Sequence, residues 1–174
     1  MTSEDPARLV PHRDFPPYAF LPGRDPHPTR DPRGHSYGEE EGPAAYLPPT
    51  EWRDNEDYLF GIDLYNHGFL WESHEVWEGL WHQAKHRDPE QGDLLQGLIQ
   101  CAAASLKIPM GQPRGLASLS KLGTEKLERV ARSGAADGGV FMGLDLFELV
   151  TEMRAFASSE PENNAGRPRL LPEG

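Results

Sequence analysis

The sequence contains one cysteine, Cys101, among 174 residues. A single thiol excludes an internal disulfide, and its place in an apolar run reads as a small buried residue. No apolar stretch reaches the ~20 residues of a membrane span. The first residues lack the basic start and apolar run of a secretory signal, so a cytoplasmic protein is expected. Lysine and arginine nowhere cluster. Nucleic-acid binding by counterion release needs such a cluster, and the overall acidity opposes anionic membranes. Neither is expected as a partner; a small-molecule or protein partner and homo-oligomerisation stay open. There is no internal repeat, no Gly-rich phosphate loop, no alternating strand pattern and no Asn-Gly hairpin signal.

What is present is polar, acidic and unevenly distributed. The formal net charge is -11 and the mean hydropathy is -0.66. Eleven of 17 prolines fall in residues 1–50, whereas all four tryptophans fall in 51–158. The latter segment carries 17 acidic against 10 basic residues, a net charge of -7, and is long enough to enclose a core. Proline removes backbone donors and disfavours helix before it. Residues 1–50 therefore read as an irregular arm, either solvated or packed over the domain through Tyr18, Phe20, Leu21 and Tyr37. His27 and His35 lie in this arm. Residues 159–174 read as a polar tail that frays.

Between them the spacing predicts about five helices. The first starts near Thr50–Arg53, with Thr50 as cap, and stops at Asn66-His67-Gly68. The second follows at once, to about Lys85, and the turn HRDPEQG closes it. The third runs from about Gly92 to Ile108 and the fourth from about Arg114 to Arg132. Asp145 and Glu148 have capping-box spacing ahead of the stripe Leu146, Leu149, Val150, Met153 and Phe156. Short turns between helices imply antiparallel hairpins, so the expected class is all-α, a compact bundle.

The sharpest signal is FLWESHEVWEGLW in the second helix. Trp71, His74, Glu78 and Trp81 share one face, and Phe69, Val76 and Leu80 another. A helix buried on two sides that still holds His74, Glu75 and Glu78 suggests function, because buried carboxylates are costly unless paired or bound to metal. His74 and Glu78, at i and i+4, suit two ligands of one metal ion or a hydrogen-bonded pair. The zinc-protease pattern H-E-x-x-H is not met, since Glu78 replaces its second histidine. The di-iron pattern Glu-x-x-His is not met either, since Trp71 precedes His74 by three. Trp71, Trp77 and Trp81 are expected to be buried mainly against the third helix. Gln96, Gln100 and Lys107 share a face of that helix, from which they would reach Glu75 or Glu78.

The run Leu64-Tyr65-Asn66-His67-Gly68, the segment Trp71 to Trp81 and Leu95-Gln96-Gly97-Leu98-Ile99-Gln100 together resemble domain of unknown function family 309. The resemblance covers roughly 53–157. It rests on His-x-x-x-Glu-x-x-Trp/Tyr, met by His74, Glu78 and Trp81. It implies a compact helical bundle and a metal or ligand role for the His/Glu pair, and no established activity. Where the family often has histidines near the end of the third helix, this chain has Ser105-Leu106-Lys107.

Two readings follow. One is a binding or interaction module around a buried His/Glu/Trp cluster, with Trp71, Glu75, Trp81, Gln96 and Gln100 as pocket candidates. The other is a divalent-metal-binding protein or metal-dependent enzyme using His74 and Glu78. Its third ligand would come from Glu75, His67, Asp63 or the arm. The first is favoured because two ligands on one helix are too few for a tight site. No nucleophile–base–orienter set is legible.

Overall fold

The computed structural model describes residues 5–40 and 42–174. It is a bundle of α1 (Glu56–Asn66), α2 (Leu70–Ala84), α3 (Pro89–Leu106), α4 (Pro113–Ala131) and α5 (Leu146–Ser158). Each helix packs on the next in the chain, from α1·α2 to α4·α5. Among the described residues no helix is long and apolar enough to cross a membrane.

Local chemistry places the helix ends, and two starts differ from the sequence expectation. Pro49–Asp54 is a 3-10 turn, and Thr50 caps nothing. α1 begins after Asn55, whose side chain accepts from Tyr58 N at 3.1 Å. α3 begins at Pro89 and not Gly92, because Asp88 accepts from Gln91 N at 2.8 Å and proline is well suited to the first helical position. A small hairpin, β1 (Val140–Phe141) and β2 (Leu144–Asp145), precedes α5. Two-residue strands carry no alternation to read. The turn residues Met142 and Gly143 both take positive φ, 46° and 80°, as a type I′ hairpin turn requires.

The core is organised around Trp77, which is fully buried. It sits against α1, where its Nε1 donates to Tyr58 O at 3.3 Å and its ring lies 6.0 Å from that of Tyr65. Gly61 makes the room: a Cβ there would stand 2.1 Å from Trp77 Nε1. α3 and α4 approach just as closely at Gly97 and Gly123, where a Cβ on Gly123 would meet Cys101 Sγ and Gly97 O at 2.9 Å.

The two termini also pack. The arm buries Val10 and Phe20, and Val10 forms a small second core with Phe60 and Leu64 of α1. The tail does not fray. The Asn66 side chain exchanges two hydrogen bonds with the backbone of Leu170, both 2.8 Å. Arg167 donates to Tyr65 O at 2.6 Å, and Leu170 is buried in the main core. The tail's few apolar residues suffice because Asn66 and Tyr65 receive its backbone and its cation.

Gly61→Ala should destabilise by about 1–3 kcal/mol through overpacking, and Trp77→Ala by about 3–5 kcal/mol. Urea unfolding measures both, and an unchanged midpoint for Gly61→Ala would refute the close contact. Burial also pushes the Cys101 thiol up to about 12 from 9.0, and raises Tyr58 and Tyr65 above their ordinary value of 10.0. The unfolded chain loses these protons first. Their contribution is therefore complete below the ordinary thiol value and falls as pH rises beyond it. The urea midpoint should decline across that alkaline window, and native Cys101 should resist a thiol reagent at about pH 8.

Candidate functional site

The outward face of α2 brings together His74, Glu75 and Glu78. His74 Nδ1 lies 3.3 Å from Glu75 Oε1, and its Nε2 lies 3.9 Å from Glu78 Oε2. On the next turn, His82 Nε2 is 3.8 Å from Glu78 Oε1. One ligand atom from each of His74, Glu75 and Glu78 falls within 4.8 Å of the others. The cluster is not buried as expected: the side chains are 29%, 44% and 41% exposed. The desolvation argument that drew attention to these carboxylates therefore does not apply to them. It applies to two others, Asp63 and Glu72.

The tryptophans divide. Only Trp77 is fully buried; it contacts Tyr58 and Tyr65 of α1 and shares the main core with Leu94, Leu95 and Leu98 of α3. Trp71 is half-buried, and it meets the arm, with Phe20 and His27 edge-on at 5.2 and 5.6 Å. Trp81 is also half-buried and carries the Lys85 ammonium 4.2 Å from its ring centre. Gln96 and Gln100 are half-buried. Among the described residues no hydrogen bond joins them to Glu75 or Glu78. Gln100 lies instead against Gly123 of α4, and the Lys107 stem covers Gly115. Gln100 and Lys107 thus lie on the α4 side of α3, where Gly97 and Cys101 also approach Gly123.

Asp63 and Glu72 are 1% and 4% exposed, and both hold the arm. The Asp63 oxygens accept from Leu9 N and Val10 N, each at 2.8 Å. Glu72 Oε1 accepts from Phe20 N at 2.7 Å and pairs with His35 Nε2 at 3.1 Å. Asp63 is thus engaged with the arm and does not join His74. Nor does His67, whose ring lies 5.1 Å from that of Phe15. The arm histidines also stay away from His74. His27 Nδ1 accepts from Thr29 N and Arg30 N at 3.3 Å, and His35 is engaged by Glu72. The signal for Asp63 was available: a carboxylate inside Ile62-Asp63-Leu64-Tyr65 has no polar face to occupy. Glu72 gave no such signal, because arm residues 52 and 37 positions away complete its site.

A cavity of about 1020 Å³ lies elsewhere, between α5 and the tail, lined by Leu149, Glu152, Phe156, Arg167 and others. A second, about 520 Å³, lies between α4 and α5. Neither includes a residue of the His74 cluster. The openness of the α2 face suits an ion with free positions better than an enclosed organic ligand.

These features define a small helical bundle with a polar His/Glu cluster on one helix and two buried carboxylates clasping an N-terminal arm. Residues 58–119, from α1 into the first turns of α4, match the family described as Domain of unknown function (DUF309). The match is shorter than the 53–157 expected from the motifs, and it includes His74, Glu78 and Trp81. No curated protein and no solved structure matches the chain.

Asp63→Ala would leave two arm amides buried without an acceptor. A hydrogen bond to a charged group contributes about 1.5–3 kcal/mol, so the arm's first crossing should open. Amide exchange at Leu9 and Val10 should accelerate at least tenfold while Leu98, in α3, stays protected. Equal protection of Leu9 in parent and variant would contradict this role for Asp63.

Proposed function

We propose that the protein binds a divalent metal ion on α2 through His74, Glu75 and Glu78. What carries this reading is the mutual approach of their ligand atoms within 4.8 Å. Two ligands bound at about 2.1 Å to one ion lie at most about 4.2 Å apart, so small rotamer changes bring the three into range. Glu75 supplies the third ligand that the His74–Glu78 spacing lacks. One imidazole and two carboxylates give a mixed donor set that suits manganese, iron or zinc. The carboxylates also give the site a charge that attracts cations.

Three ligands from one arc of one helix leave the remaining coordination positions open. A bound ion would keep water there and be free to exchange it for an oxygen donor of a small molecule. His82, beside Glu78 Oε1, is placed to orient that carboxylate from outside the ligand set.

Binding to the native state alone stabilises by mass action, roughly 2.7 kcal/mol at one hundred times Kd. A thermal-shift titration with manganese, ferrous iron and zinc in turn should raise the melting temperature of the parent chain. Both His74→Ala and Glu78→Gln should lose that response while melting normally without metal. No shift with any of the three ions in the parent would remove the proposal.

A further inference from the structure

A second chemical constellation joins the arm to α2, and it uses none of the proposed metal ligands. Ser36 Oγ lies 2.8 Å from His35 Nδ1, and His35 Nε2 lies 3.1 Å from Glu72 Oε1. The side chains of His35 and Glu72 are only 4% and 5% exposed, whereas Ser36 is half-buried. From these distances we propose that Ser36 is a nucleophile, with His35 as its base and Glu72 as the group that positions the base.

The tautomer follows from the partners. Glu72 Oε1 already accepts from Phe20 N, and a carboxylate has no proton to give. Nε2 of His35 therefore carries the hydrogen and donates it to Glu72. In a neutral imidazole the lone pair is then on Nδ1, where it accepts the Ser36 hydroxyl proton. Nucleophile and base within hydrogen-bond reach, and base held by a third group, is the arrangement that activates a serine. The Tyr18 ring stands 4.8 Å from the imidazole and its hydroxyl accepts from His35 N at 3.1 Å, so backbone and ring are both fixed.

The surroundings also limit the substrate class. Ser36 N and Tyr37 N donate to Pro28 O and Gly34 O, at 3.0 and 3.2 Å. They are not free to stabilise an oxyanion, which elsewhere contributes a factor of about 10²–10³. The fitting substrates are therefore small activated esters whose leaving group departs without strong oxyanion stabilisation. In the first step a Ser36 Oγ–acyl bond forms and the ester C–O bond breaks. The hydroxyl proton passes to His35 Nδ1, and the leaving oxygen takes the electron pair and then that proton. Water, deprotonated by the same nitrogen, next attacks the acyl carbon. Ser36 departs with the electron pair and recovers its proton from His35, releasing the carboxylic acid.

The test is run on the full chain in the presence of a chelator, so the metal reading has no bearing on it. The probes are a fluorophosphonate and p-nitrophenyl acetate. Fluorophosphonate should add once, forming an Oγ–phosphorus bond with loss of fluoride, and peptide mapping should place the adduct on Ser36. Ser36→Ala should abolish both the adduct and the release of nitrophenolate above background. His35→Gln should slow labelling about 100-fold or more, the lower end for a general base, and Glu72→Gln should slow it about tenfold. Should either variant lose the fold, the parent chain decides the matter alone: labelling must vanish in urea. No adduct on the native parent, an adduct at another residue, or equal labelling rates in native and unfolded chains would each overturn the proposal.

Discussion

Two carboxylates, Asp63 and Glu72, are enclosed by the protein, where an ionised group costs several kcal/mol unless hydrogen bonds replace its water. Neither finds those bonds in the helical core. Both find them in the backbone of the arm, at Leu9, Val10 and Phe20. The need runs in both directions, because a proline-rich segment has no helix or sheet of its own to receive its remaining amides. Both Asp63 oxygens and Oε1 of Glu72 are engaged by the arm, while Glu72 Oε2 has no hydrogen-bond partner among the described residues; the arm is thereby fixed at two crossings, one on α1 and one on α2.

From those crossings follow the features that bear on function. The second brings Phe20 and His27 over Trp71, which would otherwise stand more open beside the His74–Glu75–Glu78 cluster. It also draws His35 down onto Glu72 and leaves Ser36 at the surface above it. The first seats Val10 against Phe60 and Leu64, giving α1 a second apolar contact on the side away from Trp77. Asn66 and Tyr65 do the same for the tail. The bundle is thus wrapped by both ends of its own chain, and α2 keeps a partly exposed face with His74, Glu75, Glu78 and His82 along it.

Helical spacing was enough to show that His74 and Glu78 converge, because i and i+4 on any helix do so. It could not say whether they face core or solvent. The expectation of burial rested on the tryptophans around them, and it failed because Trp71 and Trp81 are themselves only half-buried. Trp77, one residue before Glu78, turns inward to the notch at Gly61. The same ambiguity moved Gln96 and Gln100: their shared face was correct, and its direction depended on which side of α3 the glycine of α4 could approach.

The sequence by itself determined the helices, most of their stops, the all-α class and the family segment, since these follow from spacing, caps and proline placement within a few residues of chain. The starts of α1 and α3 and the β-hairpin escaped it, the first because Thr50 and Asn55 are both acceptable caps five residues apart, the hairpin because strands of two residues carry no period. Only the tertiary structure decided what the arm and tail do. Their anchoring hydrogen bonds join residues 37 to 104 positions apart, and no local pattern encodes a partner at that distance. Ser36, His35 and Glu72 belong to that second kind: two adjacent arm residues of ordinary type become a chemical unit only when a buried carboxylate on another element needs a donor.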